Sequence, residues 1–337
     1  MKKLGSGRVV VTGGAGFIGS ALIWALNLRG IDDILVVDRL RSDEKWKNLV
    51  PLRFADYLDA DEFEARILQS PADFAEVANV FHLGACSSTT ETDAAYLIRN
   101  NFEYSKHVAA WALQRGIQLV YASSAATYGA LESNLSEALP LQTLRPLNIY
   151  AYSKALFDLY AEREGWLDQI TGVKFFNVFG PNEQHKRDMR SVVHKAFAQI
   201  RERGTVQLFR SYRPDFADGK QERDFIYVKD AVDMTLHLAD KQAAGIYNIG
   251  SGEAHTWIEL VGPIFETLGL PLQIEFVDMP STLRDKYQYS TKATVDRLRE
   301  SGYTKPITPL RDAVMDYVGN YLIEDRRLDP FLHPVTA

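Results

Sequence analysis

Tyr150 and Lys154 lie four residues apart in the segment Tyr150-Ala151-Tyr152-Ser153-Lys154. Residues i and i+4 share one face of a helix, so this spacing predicts that the Lys154 ammonium lies beside the Tyr150 phenol and favours its ionised form. A tyrosine with such a neighbour can carry a proton to or from a carbinol. A Tyr and a Lys at this spacing are also ordinary surface neighbours, so the pair gains meaning only from other motifs.

A glycine-rich turn near the N-terminus is the first of these motifs. Arg8–Thr12 is an apolar run typical of a strand, and apolar residues at helical spacing begin at Phe17. Gly13, Gly16 and Gly19 would let the backbone turn tightly, approach a pyrophosphate and bring the helix close to the sheet. This order of elements is typical of the start of a dinucleotide-binding βαβ unit.

The next predicted strand supports the same interpretation. Ile34–Val37 is apolar and leads into Asp38, nineteen residues after Gly19. An acidic side chain at this distance meets the adenine ribose of a bound dinucleotide. The sequence therefore predicts a nicotinamide cofactor site.

Composition narrows the class of protein. The chain has 337 residues, of which 46% are hydrophobic and 24% charged, enough for one large core or two unequal ones. Its net charge of −6 argues against a nucleic-acid partner, and its single cysteine excludes an intrachain disulfide or a thiolate metal cluster. The seven histidines show no ligand spacing, so no metal site is predicted. Because no apolar run has the length of a signal-peptide core or membrane span, a soluble cytoplasmic protein with no membrane partner is expected.

Strands and helices alternate in the manner of an α/β protein. We predict a Rossmann doubly wound parallel sheet with a smaller, discontinuous C-terminal substrate domain. The predicted cofactor domain covers residues 1–176 plus about 225–252, and the substrate domain covers 177–224 plus about 253–337. The other predicted elements are strands at 80–83, 118–122, 172–176 and 225–228 and helices at 96–113, 150–163, 191–203 and 231–238. Ligands of such sheets bind at the carboxyl ends of the strands, between the two domains.

Two loops at those strand ends carry further signals. The segment 81–86 ends one strand with small residues, which would let ribose and phosphate groups come close. The segment 121–129 ends the next strand and contains Ser124, which lies 26 residues before Tyr150. Ser124 could hydrogen-bond the same substrate hydroxyl as Tyr150, although serines after strands also form turns.

The glycine turn, the Ser-Ser loop and the Tyr-x-x-x-Lys motif, in this order, resemble the extended short-chain dehydrogenase/reductase superfamily. Its NAD-dependent epimerase/dehydratase members act mainly on nucleotide sugars. The stretches 11–20, 84–91, 123–129 and 176–181, the last leading to His185 and Lys186, resemble the branch that epimerises an ADP-linked heptose for bacterial lipopolysaccharide. The resemblance covers nearly the whole chain.

The resemblance implies transient oxidation of the C6'' carbinol of ADP-D-glycero-β-D-manno-heptose to a ketone, followed by reduction from its other face with the same bound cofactor. Because hydride stays on one side of the nicotinamide, the hydroxyl must approach from two positions, and two proton carriers are expected. The resemblance assigns the roles of proton carriers to Tyr150 and Lys186. Lys154 and Ser124 are the other two predicted catalytic residues. Lys186 lies near Arg187 and Arg190, so a role as a ligand of the substrate pyrophosphate stays open.

Other reactions of the superfamily are alternatives. Nucleotide-sugar dehydratases carry an Asp-Glu pair directly after the serine, where this chain has Ala125 and Ala126, so dehydration lacks its proton carriers. A UDP-hexose 4-epimerase would keep the same Ser, Tyr and Lys and stays open. A non-catalytic cofactor-sensing protein is the alternative outside enzymes, but such proteins usually lose the Tyr or the Lys.

The cofactor is predicted as NADP, with NAD as the alternative. Asp38 alone favours NAD, whereas Arg39, Arg41, Lys45 and Lys47 follow at once and could bind a 2'-phosphate. The resemblance implies NADP, with two departures at Ala60 and Leu83. The predicted cofactor residues are Gly13, Gly16, Phe17, Ile18, Gly19, Asp38, Arg39, Lys45, Leu83, Gly84, Ala85, Cys86, Ser87, Asn100, Lys154 and Val178.

The resemblance also implies a set of substrate contacts. Arg223 matches a diphosphate arginine, against a local pair with Asp224, and Lys195 stands where the family often has histidine. The resemblance suggests a homo-oligomer, with a pentamer as one candidate, and the role of the loop 212–221 stays open. The predicted substrate residues are Ser124, Asn177, Asp188, Lys195, Phe209, Arg223 and Tyr287.

Overall fold

A seven-stranded parallel sheet forms the centre of the computed structural model, which describes residues 3–284 and 287–332. The strand order is β11-β6-β5-β4-β1-β2-β3. This is the doubly wound Rossmann order with one further strand at an edge. The strands of this sheet are β1 (Arg8–Thr12), β2 (Ile34–Asp38), β3 (Asp56–Asp59), β4 (Val77–His82), β5 (Gln118–Ser124), β6 (Thr171–Phe175) and β11 (Gly245–Ile249).

Both faces of this sheet are covered by helices, which explains its continuous apolar strands. Val9 and Val11 of β1 belong to the core beneath helices α1 and α7, whereas Val10 belongs to the core on the opposite face. The opposite face is covered by α2, α4 and α5. The helices are α1 (Phe17–Leu28), α2 (Ala60–Gln69), α3 (Ala94–Leu97), α4 (Tyr104–Gln114), α5 (Ile149–Arg163), α6 (Val192–Arg203), α7 (Val228–Asp240), α8 (Trp257–Thr267), α9 (Ser281–Arg284), α10 (Asp296–Glu300) and α11 (Leu310–Tyr317).

Three two-stranded sheets lie outside the central sheet. They are formed by β7 (Asn177–Phe179) with β10 (Phe225–Tyr227), β8 (Val206–Phe209) with β13 (Ile274–Val277), and β9 (Glu222–Arg223) with β12 (His255–Thr256). β7–β10 lie between β6 and β11 in the sequence, so strands of the small sheets interrupt the segment that builds the central sheet. The predicted residue ranges of the two domains stay predictions.

The structure departs from the predicted elements at several places. The single helix predicted at 96–113 is α3 and α4 joined by a π-helical segment, Ile98–Glu103. The strand predicted at 225–228 is shorter, because α7 already begins at Val228. β3 and α2 were not anticipated, because β3 is a four-residue edge strand with two aspartates and has no apolar run.

Two properties of the described residues bear on binding. Within residues 3–284 and 287–332, no helix combines the length and apolar character needed to span a membrane. The same residues contain no group of three or more His, Cys, Asp or Glu side chains arranged to hold a metal ion. Asp285 and Lys286, which precede the predicted contact Tyr287, lie outside the described residues.

Candidate active site

The predicted catalytic residues and the glycine turn line one cavity of about 730 Å³. It lies at the carboxyl ends of β1, β4 and β5, where the strand order reverses between β1 and β4. Parallel sheets bind their ligands at this switch point, and the volume falls in the range of small-molecule sites. The fold therefore gathers residues from distant parts of the sequence at one place.

The glycine turn between β1 and α1 is shaped for close approach of a phosphate group. Gly13 has a φ of +67°, and a Cβ there would lie only 2.7 Å from the backbone nitrogen of Gly84. Helix α1 begins at Phe17, and its N-cap, Gly16, provides no side-chain hydrogen bond to the first turn. These N–H groups and the positive end of the helix dipole form an anion site. The turn fits the pyrophosphate of a dinucleotide.

The Gly19→Ala variant should lose cofactor affinity by about 5-fold to 150-fold, because overpacking costs about 1–3 kcal/mol. A Cβ at Gly19 would lie 2.1 Å from the carbonyl oxygen of Gly13, which is backbone and cannot rotate away. Cofactor content after purification measures the loss. The control is Gly262→Ala, where a Cβ meets no atom within 4 Å. A Gly19→Ala protein with full cofactor content would contradict this account of the turn.

The carboxylate of Asp38, at the end of β2, already holds several donors. Its Oδ2 accepts a hydrogen bond from the backbone of Ala15 at 2.9 Å, and its Oδ1 accepts one from the backbone of Arg39 at 2.7 Å. The Lys45 ammonium lies 2.8 Å from the same Oδ1, and Arg39 pairs with Asp61 at 2.5 Å. Asp38 thus fixes the glycine turn and Lys45 together, so a ribose hydroxyl would share this carboxylate with a lysine.

Tyr150 lies in the first turn of α5, whose start is set by Asn148. The Asn148 side chain accepts a hydrogen bond from the backbone of Ala151 at 2.8 Å, a cap that contributes about 1 kcal/mol. The Ser124 side chain, at the end of β5, lies close enough to the Tyr150 phenol to lower its pKa. The end of the strand and the start of the helix therefore bring the two predicted catalytic hydroxyls together.

Lys154 lies one turn further along α5 and is only 6% exposed. Its ammonium donates to the carbonyl oxygen of Ala122 at 2.8 Å. Burial lowers the pKa of Lys154 to about 8, and Asp158 opposes this shift. Burial also raises the pKa of Tyr150, opposed by Ser124. The expected lowering of the Tyr150 pKa by Lys154 is not seen in this structure, where burial, Ser124 and Cys86 are the groups and effects that shift this pKa.

The loop after β4 is fixed by the π-helical segment Ile98–Glu103. Asn101 of this segment accepts a hydrogen bond from the backbone nitrogen of Cys86 at 2.8 Å and donates to its carbonyl oxygen at 3.0 Å. The same amide donates to Ser153 in α5 at 3.0 Å. Asn100, the predicted cofactor residue beside it, lines the cavity. The segment thus joins the cofactor loop to the helix that carries Tyr150.

Lys186 lies in the loop between β7 and α6 and is partly buried. Its ammonium lies 5.2 Å from the ring centroid of Phe17, at the start of α1. Burial lowers the pKa of Lys186; Glu183 opposes this shift and Lys195 reinforces it. A lysine with a lowered pKa releases its proton more readily than a solvated lysine, which suits an acid/base. Its place beside a helix N-terminus also suits a phosphate ligand.

The Lys186 loop is anchored by Asn182, which is fully buried. The Asn182 side chain donates to the hydroxyl of Ser20 at 2.9 Å and accepts from the backbone of Leu328 at 2.9 Å. Its carbonyl oxygen accepts from the Asn48 amide at 3.0 Å. The same loop holds Arg187 at a φ of +50°, a conformation that costs about 1–3 kcal/mol. The surrounding contacts keep this strained loop in one place.

Arg223 lines the cavity between two aromatic rings. Its guanidinium carbon lies 5.0 Å from the centroid of Tyr287 and 5.7 Å from that of Trp257. Burial lowers the pKa of Arg223, and the guanidinium donates to the carbonyl oxygen of Gln288. The local pair with Asp224 does not form, because that carboxylate accepts four hydrogen bonds from other residues. A desolvated cation without a carboxylate partner among the described residues fits an anionic ligand.

The cavity lining contains all the predicted catalytic and cofactor residues. Of the predicted substrate residues, it contains Ser124, Asn177 and Arg223. Asp188, Lys195, Phe209 and Tyr287 are not part of the lining. The Tyr287 hydroxyl instead accepts a hydrogen bond from the indole nitrogen of Trp257 at 2.8 Å. The roles of all these residues stay predictions.

Several lining residues were not anticipated from the sequence. Trp257 is the first residue of α8, and a capping box formed by Thr256 and Glu259 marks this start. That signal is readable in the sequence, whereas Gln288 and Thr291 follow no periodic pattern. The unanticipated lining residues include Tyr96, Met189, Trp257, Gln288 and Thr291.

The fold and this site match a known family. The model of the NAD dependent epimerase/dehydratase family matches residues 9–250, and the chain belongs to this family. A protein named ADP-L-glycero-D-manno-heptose-6-epimerase from Nitratidesulfovibrio vulgaris (strain DP4) is 50% identical over 96% of this chain and 99% of its own length. One of the same name from Fusobacterium nucleatum subsp. nucleatum is 44% identical over 94% of this chain and 98% of its own length.

Solved structures give the same fold. UDP-glucose 4-epimerase from Thermus thermophilus, in complex with NAD, matches with a TM-score of 0.73 and 26% identity over 92% of this chain and 97% of that one. The ADP-L-glycero-D-manno-heptose-6-epimerase of Helicobacter pylori matches with a TM-score of 0.78 and 24% identity over 95% and 97% of the two chains. At that identity the second match speaks for the fold alone.

Proposed function

We propose that this chain is an ADP-L-glycero-D-manno-heptose 6-epimerase, which supplies the heptose of the bacterial lipopolysaccharide inner core. The observation that carries the proposal is that Tyr150 and Lys186 line one cavity together with the glycine turn. Inversion at one carbon by oxidation and re-reduction needs two proton carriers, and this cavity offers two candidates with altered pKa values. Relatives 44% and 50% identical carry the same name.

The chain's own residues can serve each proton transfer. The bound nicotinamide cofactor supplies the hydride chemistry at C6''. Ser124 and Tyr150 hold the hydroxyl of one epimer; the Tyr150 phenolate takes its proton on oxidation, and the phenol returns a proton on reduction. Lys154, a buried cation one helical turn further along α5, supports this step. After rotation about the exocyclic bond, Lys186 serves the hydroxyl on the opposite face, while Arg223 and Asn177 hold the diphosphate and the sugar.

The Lys186→Met variant should lose about 10²-fold in kcat, a typical loss for one general acid/base, while it keeps its cofactor. The loss should appear with either epimer as substrate, because each turnover needs both proton carriers, so turnover is measured from both epimers. Arg187→Met is the matched control, because Arg187 is the next residue and its side chain is exposed. If Lys186 is only a phosphate ligand, KM rises for both epimers alike and kcat stays unchanged.

We infer that the cofactor is NADP. Arg39, Arg41 and Lys45 line the cavity beside Asp38, and the Asp38 carboxylate is already neutralised by Lys45 at 2.8 Å. A 2'-phosphate would therefore meet cations rather than a free carboxylate. Denaturing freshly purified enzyme and separating the released cofactors by chromatography tests this. Release of NAD alone would contradict the inference.

A UDP-hexose 4-epimerase is the second candidate, favoured by the similarity to the Thermus thermophilus UDP-glucose 4-epimerase. Dehydration is disfavoured because Ala125 and Ala126 follow Ser124. The deciding experiment incubates the enzyme with ADP-D-glycero-β-D-manno-heptose and follows the L-glycero epimer by NMR. Absence of conversion, together with activity on UDP-galactose, would overturn the proposed function.

A further inference from the structure

A buried lysine lies beneath the active site, outside the cavity lining. Lys174 belongs to β6, and its side chain is only 1% exposed. Its ammonium donates to the hydroxyl of Thr127 at 2.8 Å and lies 3.5 Å from Asp158 Oδ2 and 4.7 Å from the ring centroid of Tyr128. A buried ammonium is costly, and an apolar side chain of similar volume could fill the same space more cheaply. The contacts of Lys174 therefore point to a role other than stability.

The first contact of Lys174 leads to the Ser124 turn. The Thr127 hydroxyl, which accepts from Lys174, donates in turn to the carbonyl oxygen of Ser124 at 2.8 Å. Thr127 is fully buried, so no water competes for this hydrogen bond. The position of Ser124 is thus tied to the ammonium of Lys174.

The second contact leads to the catalytic helix. Asp158 lies in α5 one helical turn after Lys154 and is 1% exposed. Its carboxylate accepts hydrogen bonds from the Tyr121 hydroxyl at 2.9 Å and the Ser123 hydroxyl at 2.7 Å, both in β5. Asp158 therefore locks α5 to the strand that ends on Ser124.

We propose that Lys174 is a positioning residue for proton transfer, because it joins the Ser124 turn to the helix that carries Tyr150 and Lys154. It sets the position of Ser124 relative to Tyr150 without touching substrate or cofactor. The inference deepens the proposed function and rests on it for the substrate. We call the contacts of Lys174 with Thr127 and Asp158 the Lys174 brace. Small displacements of catalytic groups can cost about 10²-fold in rate, so loss of these contacts should affect turnover more than binding.

The electrostatic surroundings of Lys154 give this arrangement a second readout. Burial lowers the pKa of Lys154 to about 8, and the Asp158 carboxylate is the main group that opposes it, followed by Cys86. His82 in β4 also faces Lys154, but burial lowers its pKa to about 3, so it is neutral. Tyr150 is the remaining titratable neighbour, on the same helix. The pKa of Lys154 therefore responds directly to the charge of Asp158.

The Thr127→Val variant is the sharpest test, because it cuts the link to Ser124 and leaves the Lys174–Asp158 ion pair intact. We expect kcat on ADP-D-glycero-β-D-manno-heptose to fall about 10-fold to 100-fold with KM and cofactor content unchanged. The matched control is Thr235→Val, a fully buried threonine of α7 whose hydroxyl donates to the Ala231 carbonyl at 2.7 Å. Wild-type kcat in Thr127→Val, or an equal loss in the control, would overturn the proposal.

Three further variants keep the test independent of folding and of the substrate. Lys174→Arg should retain more turnover than Lys174→Met, and equal turnover of the two would count against the brace. Asp158→Asn should lower the pKa of Lys154, measured by NMR of labelled lysine without substrate, and an unchanged pKa would also overturn the proposal. If wild-type enzyme fails to convert the heptose but the lysine titration behaves as expected, the proposed function fails and the brace stands.

Discussion

The Tyr150→Phe variant should lose about 10³-fold in turnover, within the range that a positioned general acid/base contributes. The ring of Tyr150 would remain at the start of α5, so the cavity keeps its shape. Only the phenol hydroxyl, which lies close to Ser124, is removed. We therefore expect kcat to fall while the cofactor content stays at the wild-type level.

The same helix offers a matched control for this variant. Tyr152 lies two residues further along α5 and is 47% exposed, so Tyr152→Phe removes an identical hydroxyl from the surface. It should leave kcat and KM unchanged. A loss of less than about tenfold in Tyr150→Phe would assign the proton transfer to another group in the cavity.

The Lys154→Met variant should be inactive and yet more stable than the wild type at neutral pH. Burial lowers the pKa of Lys154 from 10.5 to about 8, and this difference corresponds to about 3 kcal/mol. Below pH 8 both the folded and the unfolded chain hold the proton, so the folded state bears the full cost of a buried charge. The variant also loses the hydrogen bond from Lys154 to Ala122, which destabilises it by about 1 kcal/mol. The net stabilisation of Lys154→Met is therefore about 2 kcal/mol.

The stability difference between Lys154→Met and the wild type should decrease as the pH rises. Between pH 8 and 10.5 the unfolded wild-type chain keeps a proton that the folded chain has released, so wild-type stability rises relative to the variant. The two curves should approach each other as the pH increases. Urea unfolding of cofactor-free protein at pH 7 and pH 9.5 measures this, with Lys292→Met as an exposed control. A gap that widens with pH would contradict the buried-charge account.

Local patterns explain why much of the site was predictable. The glycine turn, Asp38 and the Tyr150–Lys154 pair each depend on the spacing of residues within one βα unit or one helix. Such spacing translates directly into geometry, because helices and parallel strands repeat regularly. A parallel sheet with helices on both faces was predicted for the same reason, from the alternation of apolar strands and amphipathic helices, although its edge strands β3 and β11 were not.

Contacts between distant segments could not be predicted in this way. Trp257 and Gln288 reach the cavity only through the small sheets that follow β7, and neither belongs to a periodic pattern shared with the first half of the chain. The pKa of Tyr150 is a similar case. The i, i+4 spacing predicts that Lys154 follows Tyr150 on the same helix. It does not predict the depth of burial, which has the largest effect on the pKa of Tyr150.

The anchoring of the Lys186 loop affects the order in which the two parts of the candidate site can fold during synthesis. Ser124, Tyr150 and Lys154 belong to a stretch that ends at α5, and their contacts are complete once β6 has been synthesised. The Lys186 loop needs Asn182 to meet Ser20 on one side and Leu328 on the other, across separations of 162 and 146 residues. In a nascent chain, the surroundings of Tyr150, the first proposed proton carrier, can therefore form well before the ribosome releases the segment that fixes the loop of Lys186, the second.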